Sequence, residues 1–487
     1  MCYDSEPMKT NVGLGMIGRV AEREGLLRAL GKPDSQFVAV YGRRRVGKTF
    51  LVRKTFGNAF AFYHSGVFDA PYREQLLEFR DSLLECGLPD CPDLVDWRTA
   101  FAQLRRLLEA KPSGKKVVFL DELPWMETRN SHFVQQLDKF WNKWASARDD
   151  ILLVACGSAA SWMIRNVIDC HGGLHDRITD SIPVRPFMLS ECELHAANLG
   201  LCMSRREIVE AYMVFGGIPY YWSFLHPDWS LPRNLDALLF SADGKLRGEF
   251  GRLFRSLFRD SRMHLEVVKS LARRKSGKTR SEILADVTFG DGGKFSECLE
   301  ALEACGFLRS FNALGKTKKD KIFQLIDNFT LFHQQFIEGN AAVDGDFWTS
   351  SVSSPRHAAW KGIAFERVCL QHVAQIKRAL GISGVRTNVC PWFHVPDSQN
   401  PRGAQVDLVI DRADGIVNLC EIKYCQGKYQ IAKEDAGKMD DRRETFKSVT
   451  GTRKSVHLTM ITPEGVAATP ERRILQSEVT LDDLFAQ

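Results

Sequence analysis

The sequence predicts an α/β fold built around a five-stranded parallel sheet, and three observations support this. Short apolar runs near residues 36–41, 58–64, 116–121, 151–156 and 181–186 are typical of buried strands. Stretches with helical spacing separate these runs, which is the alternation of a parallel sheet with crossover helices. A glycine-rich turn, an acidic pair and a serine each follow one of the runs, where open α/β sheets place their ligands. We therefore expect the first functional site at this edge of the sheet.

Length and composition limit the class of protein. A chain of 487 residues is too long for one hydrophobic core, so two to four domains are expected. No stretch approaches the ~20 unbroken apolar residues of a membrane helix, and the start, MCYDSEPMKT, lacks the apolar segment of a secretory signal. The 13 cysteines have no zinc-ligand spacing and are typical of free thiols in a reducing compartment. We expect a cytoplasmic protein with no membrane partner.

The glycine-rich turn after the first strand predicts a site for a nucleoside triphosphate, ATP with Mg²⁺. Its sequence is GRRRVGKT, and a helix follows it. Gly42 and Gly47 let the backbone wrap so that amide groups point at phosphates. Lys48 would supply positive charge, and the Thr49 hydroxyl would ligate Mg²⁺. The predicted nucleotide contacts in this segment are Gly42, Arg43, Arg44, Arg45, Val46, Gly47, Lys48, Thr49 and Phe50.

Two later strands add polar groups to the same edge. KKVVFLDELPWM ends in Asp121 and Glu122, and buried acids at a strand tip need a cationic partner. Asp121 would support Mg²⁺, and Glu122 would activate the attacking water. ILLVACGS places Ser158 after the next strand, either as a sensor of the γ-phosphate or the water, or as the cap of the following helix. Arg177, in GGLHDRIT, precedes the last strand.

Together these motifs resemble the archaeal-type ATPase family, a P-loop branch near the AAA+ and STAND proteins. The resemblance covers residues 14–340 and includes MIGRVAEREGLLRAL and FGGIPYYW. It implies an ATPase core over residues 1–188, with Ile17, Gly18 and Arg19 near the adenine, and a helical lid over residues 189–260. It also implies that Arg177 is an arginine finger or sensor, acting in cis or across a homo-oligomer contact. The family pattern has Gly-Arg where this sequence has Asp176-Arg177.

Residues 261–338 are predicted to form a winged helix-turn-helix. Three segments with helical spacing precede a basic hairpin, and GKFSECLEALEACGF would be the recognition helix. The predicted partner is nucleic acid, with DNA favoured over RNA. This follows from a basic run from Arg247 to Arg280 and from the wing lysines Lys316, Lys318, Lys319 and Lys321. The alternative is a packing module, since Glu297, Glu300 and Glu303 lie on the same helix and oppose entry into a phosphate-lined groove.

After a polar linker over residues 339–356, residues 357–487 are predicted to form an α/β domain with a second site. Glu366 lies on an amphipathic helix, Asp407 on the strand AQVDLVID, and Glu421 and Lys423 on the strand VNLCEIKY. Asp407 and Glu421 would bind Mg²⁺ or Mn²⁺, and Lys423 would orient a water. The order resembles the PD-(D/E)XK nuclease fold, restriction-endonuclease-like, over residues 355–465. Alternating Glu and Lys is also typical of an exposed strand edge.

Two functions fit these features. The first is a Mg²⁺-dependent ATPase whose nucleotide state controls a winged helix and a nuclease-like domain that act on nucleic acid. The second is a regulatory ATP switch whose C-terminal domain is catalytically silent and binds other proteins.

Overall fold

The parallel sheet predicted for the N-terminal part is present. The computed structural model describes residues 15–169, 177–258, 260–312, 314, 321–339, 345–396, 398 and 403–486. Five parallel strands lie in the order β2-β3-β4-β1-β5. They are β1 (Gln36–Tyr41), β2 (Phe62–Ser65), β3 (Lys116–Asp121), β4 (Ile151–Gly157) and β5 (Asp180–Pro183).

Two strand boundaries differ from the prediction. The chain before β2 still forms the end of the preceding helix, where Gly57 and Asn58 are left-handed, so the strand begins at Phe62. Strand β5 ends at Pro183, and Pro186 likewise has no N–H to donate to a ladder.

Helices cover both faces of this sheet. Val38 and Val40 of β1 pack into one core, and Phe37 and Ala39 pack into the other, because successive side chains of a strand point to opposite faces. The helices are α1 (Val20–Gly31), α2 (Lys48–Phe56), α3 (Tyr72–Glu85), α4 (Trp97–Ala110), α5 (Leu123–Met126), α6 (Phe133–Lys143) and α7 (Ala160–Met163).

A helical segment follows the sheet. Its FGGIPYYW sequence forms the turn into a short helix in which Tyr221 and Trp222 are fully buried. The helices are α8 (Leu189–Asn198), α9 (Arg205–Phe215), α10 (Pro219–Trp222), α11 (Leu231–Leu235) and α12 (Glu249–Leu257).

The described residues from 260 to 325, here called the middle module, contain three helices and a small antiparallel sheet in the order β6-β8-β7. The elements are α13 (Ser261–Ala272), β6 (Lys278–Thr279), α14 (Arg280–Leu284), α15 (Gly293–Ala304), β7 (Leu308–Asn312) and β8 (Lys321–Leu325). Lys316, Lys318 and Lys319 of the predicted wing lie outside the described residues.

Part of the predicted linker is a packed helix. The chain continues through α16 (Asn328–Phe332), α17 (Phe347–Ser351), α18 (Pro355–Gln371) and α19 (Val373–Ala379). Trp348 of α17 is buried against Phe332, and its backbone N–H donates to Asp236. Residues 347–351 therefore belong to the folded core, because an apolar tryptophan in a polar segment provides a buried anchor.

The C-terminal part is a mixed sheet in the order β13-β12-β11-β10-β9. Strands β9 to β11 pair antiparallel, and β11 to β13 pair parallel. Helix α18 packs on one face and α20 on the other. The elements are β9 (Thr387–His394), β10 (Ala404–Arg412), β11 (Ile416–Ile422), α20 (Lys433–Thr450), β12 (Ser455–Ile461), β13 (Ser477–Val479) and α21 (Leu481–Leu484). In the described part of the chain, every helix is too short or too polar to cross a membrane.

Candidate functional site

The loop between β1 and α2, residues 42–49, is here called the phosphate loop, and glycine is required at two of its positions. Gly47 has φ +93°, which side chains rarely adopt, and α2 begins at the next residue. At Gly42 a Cβ would lie 2.2 Å from the carbonyl oxygen of Val184, which follows β5. The loop is thus a tight turn whose backbone leads into a helix N-terminus, where an anion is favoured.

Lys48 lies inside this loop. Its side chain is 5% exposed, and its Nζ donates to the carbonyl oxygen of Arg43 at 3.1 Å. A buried ammonium needs more than one carbonyl to replace the water that it has lost. A phosphate oxygen suits that need, so the loop fits a nucleotide phosphate.

Thr49 and Asp121 meet across the site. The Thr49 hydroxyl donates to Asp121 Oδ2 at 2.7 Å, and Asp121 Oδ1 accepts from the backbone N–H of Glu122 at 3.0 Å. A hydroxyl and a carboxylate side by side are the hard oxygen ligands that Mg²⁺ prefers. These two residues therefore fit a magnesium ion next to the loop.

Glu122 and Ser158 form a second contact at the same edge of the sheet. Glu122 Oε2 accepts from the Ser158 hydroxyl at 2.7 Å and from its backbone N–H at 3.1 Å. Glu122 is itself left-handed, with φ +49°, a conformation that is costly for a residue with a side chain. Helix α7 begins at Ala160 with Ala159 as its N-cap and no side-chain cap, so Ser158 is not the helix cap.

The three arginines of the loop have partners that the sequence did not predict. Arg43, 4% exposed, forms a bidentate ion pair with Asp327, 6% exposed, with the second contact at 3.2 Å. Arg45 pairs with the buried Glu249 at 2.8 Å, and Arg44 lies over the Trp125 ring. Asp327 follows β8 and Glu249 begins α12, so segments remote in sequence hold the phosphate loop. The sequence did contain a signal for such partners, because the loop has three consecutive arginines where phosphate binding needs one cation.

The segment before α1 also contacts the loop. Arg19 Nη2 donates to the carbonyl oxygen of Val46 at 3.2 Å, and its guanidinium lies 4.7 Å from the Phe187 ring centroid. Ile17 and Gly18 precede it, half-buried. Phe50, on the first turn of α2, is 46% exposed.

Arg177 is not brought to the phosphate loop within one chain. It is exposed and precedes β5, whose first residue aligns with Val38 of the parallel strand β1. It therefore lies near the start of β1, whereas the phosphate loop follows the end of that strand. Its charge instead lowers the pKa of Asp138, against the larger effect of burial, which raises that pKa. Asp176 lies outside the described residues.

The C-terminal acids do come together. Glu366 of α18, Asp407 of β10 and Glu421 of β11, here called the acid cluster, interact electrostatically: burial first, and then the charges of Glu366 and Glu421, together raise the pKa of Asp407 to about 6. The backbone N–H of Ile422 donates to Asp407 Oδ2 at 3.4 Å. Lys423 Nζ lies 2.8 Å from Glu421 Oε1, as expected for residues two apart on a strand.

Each glutamate of the acid cluster is already paired with a cation. Glu421 binds Arg442 of α20 at 2.6 Å in addition to Lys423, and Glu366 binds Lys275 of the middle module at 3.0 Å. Over the described residues, no group of three or more His, Cys, Asp or Glu side chains is arranged to hold a metal ion. The carboxylate chemistry suits Mg²⁺ or Mn²⁺, but the side chains as placed do not fit one.

The basic run between α12 and α14 is also largely paired within the chain. Its ion pairs are Arg252–Glu249, Arg262–Glu266, Arg274–Glu282, Lys275–Glu366, Lys278–Asp286 and Arg280–Asp291. On the predicted recognition helix α15, Glu297 pairs with Arg165 and Glu303 with Lys321. Much of the charge that predicted nucleic acid is therefore balanced locally.

Comparison with known proteins gives distant matches. No family model matches the chain. An uncharacterized protein of Methanocaldococcus jannaschii is 22% identical over 402 residues, 81% of this chain and 83% of that protein. A Walker-type ATPase of Pyrococcus abyssi is similar in structure with a TM-score of 0.47 and 17% identity, covering 66% of this chain and 96% of that one. The ORC2 protein of Aeropyrum pernix gives a TM-score of 0.42 and 13% identity over 71% and 98% of the two chains. Because both TM-scores are below 0.5, the function has to be inferred from the geometry of the sites.

Proposed function

We propose that the protein binds and hydrolyses ATP with Mg²⁺ at the phosphate loop. The observation that carries this proposal is the placement of Lys48, the Thr49–Asp121 pair and the Glu122–Ser158 pair at one edge of the parallel sheet. Lys48 and the two pairs each supply one requirement of phosphoryl transfer: charge neutralisation, metal ligands and a positioned base, respectively.

In this proposal each polar group of the site has its own role. Lys48 leaves the carbonyl oxygen of Arg43 to bind phosphate oxygens, and the backbone amides before α2 bind the rest of the phosphate chain. Thr49 and Asp121 would hold Mg²⁺, which would supply positive charge to neutralise the phosphates. Glu122 accepts a proton from the attacking water, and Ser158 holds the Glu122 carboxylate in place.

Replacing Lys48 tests this site. We expect Lys48→Ala to lower ATP turnover by at least about hundredfold, because a charge aimed at the developing phosphate charge is lost. Phosphate release by the purified full chain is the measurement, and Lys54→Ala, an exposed lysine of the same helix, is the matched control. Glu122→Gln should retain ATP while turnover falls. Equal turnover in wild type and Lys48→Ala would exclude hydrolysis at this loop.

We also propose that the nucleotide state controls the middle module and the C-terminal domain, which act on nucleic acid. The buried Arg43–Asp327 pair and the Arg45–Glu249 pair support this, because they connect the phosphate loop to segments on either side of the middle module. Three helices with a three-stranded antiparallel sheet are the elements that a winged helix requires. The acid cluster with Lys423 supports a nuclease-like second site.

The second site is tested by removing the charge of Asp407. We expect Mn²⁺- or Mg²⁺-dependent cutting of DNA or RNA by the full chain to fall by at least about hundredfold in Asp407→Asn, which preserves shape. The control is Asp411→Asn on the same strand, whose partner is Lys454 at 2.6 Å, outside the acid cluster. Equal cutting by wild type and Asp407→Asn would exclude this site as the source of activity.

A regulatory ATP switch with a silent C-terminal domain is the second candidate. The pairing of both cluster glutamates with cations favours it, since such side chains can serve as a structural ion-pair network. This candidate would be favoured if the chain binds other proteins in a way that depends on nucleotide but not on salt, and if it cuts no nucleic acid with any divalent metal ion. Nucleic-acid affinity that falls steeply with salt would favour the first.

A further inference from the structure

Two arginines meet where the middle module contacts α18, and neither has a carboxylate partner. Arg309 lies on β7 and is half-buried, and Arg367 lies on α18 and is 2% exposed. Among the described residues, no acid forms an ion pair with either guanidinium, and no acceptor reaches the buried Nη2 of Arg309 or the buried Nε of Arg367. The buried Arg43, in contrast, is paired with Asp327.

Neutral groups hold the two arginines in place. Gln324 Oε1 of β8 accepts from Arg309 Nε at 2.6 Å, and Gln324 Nε2 donates to the carbonyl oxygen of Lys275 at 2.6 Å. The same carbonyl oxygen accepts from Arg367 Nη2. One amide and one carbonyl therefore connect both guanidinium groups. They fix the side chains but supply no negative charge.

The surroundings disfavour both positive charges. Burial first, and then the charge of Arg367, lower the pKa of Arg309 to about 10. Burial lowers the pKa of Arg367 to about 10, although the charges of Glu366 and Asp407 act in the opposite direction. Glu366 is itself paired with Lys275 at 3.0 Å, so its charge is already balanced. Buried cations without a counter-ion are costly, and a bound anion would remove that cost.

We propose that Arg309 and Arg367 form an anion site that binds a phosphate group. Guanidinium groups present their N–H donors in a planar fork that matches the oxygens of phosphate. Two positive charges suit a terminal or free phosphate, whose charge is about −1.5 to −2 at neutral pH. The half-exposed side of Arg309 gives the anion a way in from solvent. Neither arginine belongs to the phosphate loop, so the proposal does not rest on ATP hydrolysis.

Isothermal titration of the full chain with inorganic phosphate, without nucleotide and at fixed ionic strength, tests the site. We expect Arg309→Gln to weaken phosphate binding by about tenfold or more, the size expected for losing a charge-assisted hydrogen bond. Arg309→Lys keeps the charge but not the fork, so it should weaken binding less. The matched control is Arg273→Gln, at an exposed arginine of the same module, which should bind like wild type. Melting temperatures identify any variant that fails to fold.

Lys48→Ala separates this site from the phosphate loop. Binding that persists in Lys48→Ala and weakens in Arg309→Gln supports the anion site, whether or not the chain hydrolyses ATP. Binding that is lost in Lys48→Ala and unchanged in both Arg309 variants would place all the phosphate at the phosphate loop and overturn the proposal. Absence of phosphate binding in wild type would overturn it as well.

The source of the phosphate is distinguished by a second titration, with a short single-stranded oligonucleotide that carries or lacks a 5′-phosphate. Tighter binding of the phosphorylated strand that is lost in Arg309→Gln supports the site and assigns it to the end of a nucleic acid. Equal binding of the two strands, together with Arg309-dependent binding of inorganic phosphate, supports the site and assigns it to the free anion.

Discussion

The contact between Ser158 and Glu122 resolves two alternatives that are open in the sequence. A serine after a buried strand can cap the next helix or act at a ligand site, and the residue types are the same in both cases. Here its hydroxyl donates to Glu122 Oε2 at 2.7 Å, and Ala159 takes the cap position. We therefore propose that Ser158 positions the carboxylate that we propose as the base.

We expect Ser158→Ala to lower kcat for ATP by about tenfold or more while KM changes little, because the base loses its orientation and the phosphate contacts remain. Glu122 keeps the backbone N–H of Ser158 at 3.1 Å, so folding should be preserved. Initial rates over a range of ATP concentrations measure both constants. Ser161→Ala, on α7, is the control. An unchanged kcat would mean that Ser158 does not position the base.

Individual residues could be predicted where the function lies in a local motif. Lys48 and Thr49 begin the helix after the glycine-rich turn, and Asp121 and Glu122 stand at the end of β3, so pattern and position agree. The partners of Arg43 and Arg45 could not be predicted, because Asp327 is separated from Arg43 by 284 positions and nothing local marks it. The family resemblance predicts a role for Arg177 at the phosphate loop. Arg177 precedes β5, which runs parallel to β1, so it lies near the start of β1 and away from the loop that follows the end of β1.

At the scale of elements, the N-terminus of α16 is tied to the phosphate loop. Asp327 caps this helix by accepting from the backbone N–H of Thr330 at 2.9 Å, and it also pairs with Arg43. One carboxylate therefore performs two tasks in a buried position, and the loop and the helix depend on each other.

We expect Asp327→Asn to destabilise the fold by about 3 to 5 kcal/mol, because it leaves the Arg43 charge buried without its counter-ion. Thermal unfolding without nucleotide is the measurement, and Asp93→Asn, at an exposed position, is the control. The double variant Arg43→Met with Asp327→Asn should lose less stability than Asp327→Asn alone, since no unpaired charge remains. If Asp327→Asn unfolds at the same temperature as wild type, the Arg43–Asp327 pair contributes nothing to the stability of the fold.

The type of a secondary-structure element could be predicted where its apolar residues follow one clear pattern along the chain. The runs of the parallel sheet are apolar on both faces, as β1 illustrates, so their type and order follow from the sequence. Helix α17 was missed because it is short and lies in a polar segment, in which Trp348 is its one buried side chain. The pairing order of the C-terminal strands depends on contacts across the chain, such as β11 with β12, that the local pattern does not specify.

For the whole molecule, the sequence predicted two groups of polar residues but not how the two groups are connected. The phosphate loop and the acid cluster were each recognised from their own motifs. The contacts of Lys275 with Glu366 and of Asp327 with Arg43 join residues that are far apart in the sequence, so no local pattern specifies them. The basic run illustrates the same limit: its charges suggested an external partner, and several are neutralised within the chain.

Strand β8 has a consequence for binding thermodynamics. Gln324 holds the carbonyl of Lys275, and Asp327, three residues later, holds Arg43 of the phosphate loop. If nucleotide binding changes the strength of the Lys275–Glu366 contact through this strand, linkage requires that contact to change nucleotide affinity by the same factor. A lysine that lies outside the phosphate loop would then contribute to the free energy of nucleotide binding.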